Sequence, residues 1–99
     1  MAELSASLGE IQDAGHEVRG VADKMDEDLR DLARGVDRFL SGGWRGQAAE
    51  AFRRDWDQWR AGAGGVIGGL DASAALLART AKAYGQQEQH NADAFRVNM

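Results

Sequence analysis

Apolar residues recur through residues 4–40 in steps that alternate between three and four. One line runs Leu4, Ile11, Val18, Met25, Leu32 and Phe39, and a second runs Leu8, Gly15, Ala22, Leu29 and Val36. A heptad rhythm without a slip predicts a helix packed in a shallow left-handed supercoil. Between the lines lie Asp23, Lys24, Asp26, Glu27, Asp28, Arg30 and Asp31, which read as a solvated face. Ser7 and Glu10 have the spacing of a capping box, although the rhythm already begins at Leu4. A second stripe follows residue 46: Phe52, Trp56, Trp59, Ala63, Val66, Leu70, Ser73, Leu77, Thr80 and Tyr84, widened by Ile67, Ala74 and Ala81. Its steps again alternate four and three. It predicts a second helix over about 47–94, with Glu50 in the first turns where the helix dipole favours a carboxylate.

Ser41-Gly42-Gly43-Trp44-Arg45-Gly46 separates the two rhythms. Glycine takes the backbone angles that a reversal needs, so 41–46 reads as a tight turn. A plain connector has no need of an indole, which marks Trp44 as packing against something or presenting something. Phe39, Phe52, Trp56 and Trp59 lie close to the turn in sequence, so the bulkiest packing is expected at that end. The chain 1–99 reads as one all-α domain, a helix-turn-helix hairpin. A hairpin this thin leaves part of each apolar stripe wet, and dimerisation into a four-helix bundle is the simplest remedy. The residues expected in core or dimer packing are Leu8, Ile11, Val18, Met25, Leu29, Leu32, Val36, Phe39, Phe52, Trp56, Trp59, Val66, Leu70 and Leu77.

Gly62, Gly64, Gly65, Gly68 and Gly69 crowd into the second stripe, and each costs about 1 kcal/mol of helix stability relative to alanine. The stripe passes through them without a register change, which keeps the helical reading. Two explanations stand side by side: close approach of another backbone, or a weak segment held by tertiary contacts. The span Ala61–Ala78 is apolar apart from Asp71 and Ser73, and it contains two small-xxx-small pairs, Gly64 with Gly68 and Gly65 with Gly69. In a membrane that spacing drives helix association. Against insertion, Asp71 would cost about 2.5–3.5 kcal/mol at mid-bilayer.

Composition narrows the function. Net charge is −4 with acids and bases interleaved, which argues against nucleic acid as a partner. Cysteine is absent, which excludes disulfides and thiol chemistry, and the absence of proline suits long helices. Met1-Ala2-Glu3-Leu4-Ser5 shows no basic region followed by an apolar run, so no secretory signal peptide is expected. His16 and His90 are far apart, and no three or four ligands converge, so no metal site is read. Consecutive acids such as Asp26-Glu27-Asp28 point in different directions on a helix and do not make a catalytic pair. The glycine-rich turn lacks the Lys-Ser/Thr of a phosphate loop, and Ser41 has no base beside it in sequence. No cofactor and no enzyme activity are expected.

Trp44-Arg45-Gly46 between two long helices, together with Tyr84-Gly85-Gln86-Gln87-Glu88 after the second stripe, resembles the WXG family. These are the small type VII (ESX) secretion substrates, the early secreted antigen-like proteins of actinobacteria and firmicutes. The resemblance covers the whole chain, and the Ala/Gly/Arg-rich composition is similar to that of a high-GC actinobacterium. It implies a turn motif at Trp44 and Gly46 and a secretion signal at Tyr84 and Glu88. It also implies a folded dimer with a related WXG-family chain, more often a different chain than a second copy. A secretion ATPase of the type VII machinery would recognise that dimer. The protein would then be secreted, or reach the cell surface, after a cytoplasmic stage. The alternative function is a membrane-active, permeabilising protein that uses the glycine-rich second helix. The glycine cluster before Tyr84 departs from the family's pattern and puts the rigidity of that helix in question.

Overall fold

The structure is a computed structural model that describes residues 2–97, with side chains described over 7–96. It consists of two α-helices forming a hairpin, as the two rhythms predict: α1, Ala2–Ser41, and α2, Gln47–Val97. The chain divides into two compact units. One joins α1 up to Gly20 with α2 from Asp71 onward, and the other spans Val21–Leu70.

In the unit Val21–Leu70 the interior is a line of three alanines and three larger apolar residues. Ala22, Ala33 and Leu40 of α1 and Ala49, Trp56 and Ile67 of α2 are buried. In the other unit Ala74 and Ala81 are buried, and Gly15 sits against them. A Cβ on Gly15 would lie 3.4 Å from Leu77 Cβ and 3.7 Å from the Ala74 carbonyl, contact distance, so the two helices are packed close at this point. Arg19 of α1 lies 3.8 Å from Asp71 of α2, an ion pair across the hairpin at about half exposure on each side. Such a pair contributes little to stability, about 0–1 kcal/mol. Asp71 Oδ1 has no hydrogen-bond partner.

The burial pattern divides the residues expected in core or dimer packing. Leu32, Phe39, Phe52, Trp59 and Val66 are exposed in the single chain, while Ile67, Ala74 and Ala81, which only widened the stripe in sequence, form its inner line. Leu8, Ile11, Val18, Met25, Leu29, Val36, Leu70 and Leu77 are half-buried at the edges, and Trp56 alone of that set is fully inside. The reason is geometric. Alanines on the contact line let helix axes approach, and Leu32, Phe39 and Val66, one position off Ala33, Leu40 and Ile67, fall about 100° away at the margin.

The glycine cluster is open within this chain. α2 runs unbroken through it, and a Cβ built on Gly62, Gly64, Gly65, Gly68 or Gly69 meets nothing within 4 Å. No helix of this chain approaches closely there. The acidic run of α1 is solvated and locally paired: Lys24 with Asp28 at 2.7 Å, Arg30 with Asp26 at 3.0 Å, and Arg34 with Asp31. The hydrogen bond to Asp28, with that residue's charge, raises the Lys24 ammonium above its ordinary range.

Candidate interaction site

The turn is built by three glycines and one arginine. Gly43 and Gly46 have φ of 100° and 103°, the left-handed region that favours glycine. Gly42 donates its N–H to the Phe39 carbonyl at 3.3 Å, and Ser41 Oγ donates to the Arg38 carbonyl at 3.2 Å. Both bonds occupy carbonyls that the end of α1 leaves open. Arg53 of α2 reaches across and donates from Nη2 to the Leu40 carbonyl at 3.2 Å. A cation there also complements the negative end of the helix dipole. The carbonyl of Gly46 accepts the Glu50 N–H at 3.1 Å, which starts α2.

Held by those bonds, Trp44 projects between the last turn of α1 and the first turns of α2. Its ring centre lies 5.3 Å from Phe39 and 5.6 Å from Phe52, and those two rings stand edge-on at 6.3 Å. Trp44 is half-buried, while Phe39 and Phe52 remain exposed. The three rings therefore form an aromatic cap with one wet side. One turn further along α2, Trp59 stacks on Trp56 at 5.4 Å and is 55% exposed.

The exposed apolar residues of this unit share a side. At about 100° per residue, Val21, Leu32 and Phe39 fall roughly a quarter turn from the line Ala22–Ala33–Leu40. Phe52, Trp59 and Val66 fall a similar angle from Ala49–Trp56–Ile67. Because the helices of a hairpin run in opposite directions, these two edges open on the same side, and the Phe39–Phe52 ring contact joins them.

Tyr84 and Glu88 belong to the other unit, four residues apart on one face of α2. Tyr84 is 46% exposed, and Glu88 is half-buried and engaged. Between them Gly85 faces α1, where a Cβ would lie 3.8 Å from Leu8 Cδ2. α2 continues beyond them, stapled by Gln87 to Asn91 at 3.2 Å and Gln89 to Asp93 at 3.1 Å. This continuation brings in a residue that the sequence reading passed over. Phe95 is 67% exposed and follows Tyr84 by eleven residues, close to three turns, so both rings stand on one face. The spacing was visible in sequence, hidden in a polar tail. Trp44 with Gly46 and Tyr84 with Glu88 are thus two separate features, one in each unit. Among the described residues, no group of three or more His, Asp or Glu is placed to hold a metal ion.

The half-burial of Trp44 sets an expectation. A large aromatic removed from a packed site costs about 3–5 kcal/mol, but this indole has one wet side and two exposed ring partners. Trp44→Ala should lower stability by only about 1–2 kcal/mol, read by urea denaturation, and leave the helicity by circular dichroism unchanged.

Comparison with known proteins agrees with this arrangement. The family described as "Proteins of 100 residues with WXG", WXG100, matches residues 3–89. The chain is 35% identical over 77 residues to the ESAT-6-like protein EsxF of Mycobacterium tuberculosis, in strain CDC 1551 / Oshkosh and in strain H37Rv alike. The match covers 78% of this chain and 74% of that protein. No solved structure matches. A hairpin with Trp44-Arg45-Gly46 at its turn, matched along most of its length, belongs to the WXG100 family.

Proposed function

We propose that this chain is a non-enzymatic substrate of a type VII secretion system, exported folded and paired with a related WXG100 chain. The observation that carries the pairing is the common side of exposed apolar residues in the unit Val21–Leu70, with Trp59 and Val66 each more than half exposed. A face of that kind, contiguous and aromatic, marks an interaction surface. A second hairpin laid on it completes a four-helix bundle. Tyr84 with Glu88 is the export signal, an aromatic anchor beside a carboxylate on one helical face, read by the ATPase of the machinery. Trp44 and Gly46 form the turn motif, with the indole's wet side available for recognition.

The test is export from a host that carries the machinery. Deleting the secretion ATPase should remove the protein from the culture medium and leave it, folded, inside the cell. Undiminished export without the ATPase would contradict the assignment.

One observation favours a second reading, a membrane-active role after export. α2 contains an 18-residue window of mean hydropathy 1.4 that is only 11% buried. Asp71 lies in the apolar span and is paired with Arg19, which opposes insertion of the folded hairpin. Dye release from anionic vesicles on adding the purified complex would favour this reading, and intact vesicles would remove it.

A further inference from the structure

Charge is divided around the exposed apolar side, and the division specifies what fits there. In the unit Val21–Leu70, Asp28 of α1 and Asp55 of α2 border that side at 3.6 residues per turn. The arginines of the same helical segments fall elsewhere. Arg30 and Arg34 lie on the far side of α1, paired to Asp26 and Asp31, and Arg53 is engaged with the Leu40 carbonyl. Arg38, Arg54 and Arg60 also point away from the apolar side by the same count. On the helices the cation that falls nearest the border by this count is Lys24, held by Asp28 at 2.7 Å, and Arg45 lies in the turn beside Trp44. The other unit, taken by itself, repeats the pattern. Glu10 and Glu17 flank Ala14 on α1, while Arg79 and Lys82 fall away from the Tyr84 face of α2.

A second copy of this chain would therefore bring carboxylates to a border of carboxylates. We propose that the occupant of this face is a related helical hairpin whose own border carries lysine or arginine, and that the acidic border excludes self-pairing. This rests on the dimeric reading above and adds the partner's chemistry to it. The apolar residues supply the area, and the border charges choose the partner, because like charges brought together at a rim select against the wrong pairing.

The chain itself supplies the test. One variant, E17K/D28K/D55K, reverses three exposed border carboxylates. A control, D23K/D37K/D57K, reverses three exposed carboxylates on the other side and has the same net charge. Helicity by circular dichroism verifies that both fold. Sedimentation equilibrium then measures wild type alone and wild type mixed with each variant. The wild type should pair with the border variant at least about tenfold more tightly than with itself or with the control at low salt. That preference should fade as the Debye length falls from about 10 Å at 0.1 M to about 3 Å at 1 M salt. Wild type that pairs with itself as tightly as with the border variant would overturn the charge rule while leaving the apolar face intact. An equal gain with the control would overturn it too, because net charge alone would then explain pairing. No complex in any mixture at any salt would overturn this inference, and the pairing with a related chain would then be judged by copurification with that chain.

Discussion

Replacing Tyr84 and Glu88 together by alanine should abolish export while the hairpin stays folded. Tyr84 is nearly half exposed, so its ring contributes recognition area at small expense to the fold. Alanine also has the highest helix propensity, so neither change breaks α2. In a receptor groove an aromatic anchor and a carboxylate are the kinds of residue whose truncation costs about 2 kcal/mol or more each. Two such losses weaken binding about a thousandfold. Secreted protein should disappear from the medium, and the paired chain should remain inside with it, because the two travel together. The helical signal should be unchanged, and melting should shift by only a few degrees, about 1 kcal/mol for a domain of this size. Export at the wild-type level would place the signal on the partner and make this chain its passenger. Loss of helicity would mean that Tyr84 is a structural end residue of the stripe. Phe95 refines the test, since it stands on the same face and is more exposed than Tyr84. Phe95→Ala should reduce export without reaching the full loss.

Charging the apolar side should have a comparably large effect on pairing. Leu32→Asp and Val66→Asp place one carboxylate on each helix of the Val21–Leu70 unit, at positions about half exposed in the single chain. In the isolated hairpin both side chains reach water, so each change should cost no more than about 1 kcal/mol. In a complex both carboxylates would be buried without partners, a penalty of several kcal/mol each. The double variant should therefore fold alone and fail to copurify with a related WXG100 chain, a loss of more than about a hundredfold in affinity. Ala22→Asp behaves oppositely. Ala22 is fully buried on the inner line, so its charge should unfold the hairpin before any question of pairing arises. The contrast between an outward and an inward aspartate separates the two faces of one helix.

How far the sequence reveals this arrangement depends on residue size. The heptad steps from Leu4 to Phe39 and from Phe52 to Tyr84 display the two helices, and the glycines around Trp44 display the turn, because each signal rests on local backbone chemistry. Which edge of each stripe faces inward is not local. Leucine, phenylalanine and tryptophan dominate any hydrophobic pattern, so Leu32, Phe39, Trp59 and Val66 read as core or dimer packing without a sign of which. The contact between two close helices favours small side chains instead, and Ala22, Ala33, Ala49, Ala74 and Ala81 carry it with little hydrophobic signal. The glycine cluster leaves two readings open for a related reason. Small residues permit close approach without showing which helix arrives, and within this chain none does. At the candidate site, Trp44 was legible as a half-presented aromatic because an indole in a turn needs a reason. Phe95 was not, because a single apolar residue in a polar tail has no neighbours to form a pattern.

The most direct measurement is amide hydrogen exchange across residues 52–70, made on the chain alone and again with a related WXG100 chain bound. The outward side of α2 in this stretch carries Phe52, Trp59 and Val66, and its open glycines weaken the helix in isolation. Alone, the segment should exchange faster than the alanine-lined stretch around Ala74 and Ala81. With the partner bound its protection should rise at least about tenfold, as local opening becomes coupled to dissociation. A stable complex that leaves exchange over 52–70 unchanged would mean that the partner sits elsewhere, and that this apolar side is not the docking face.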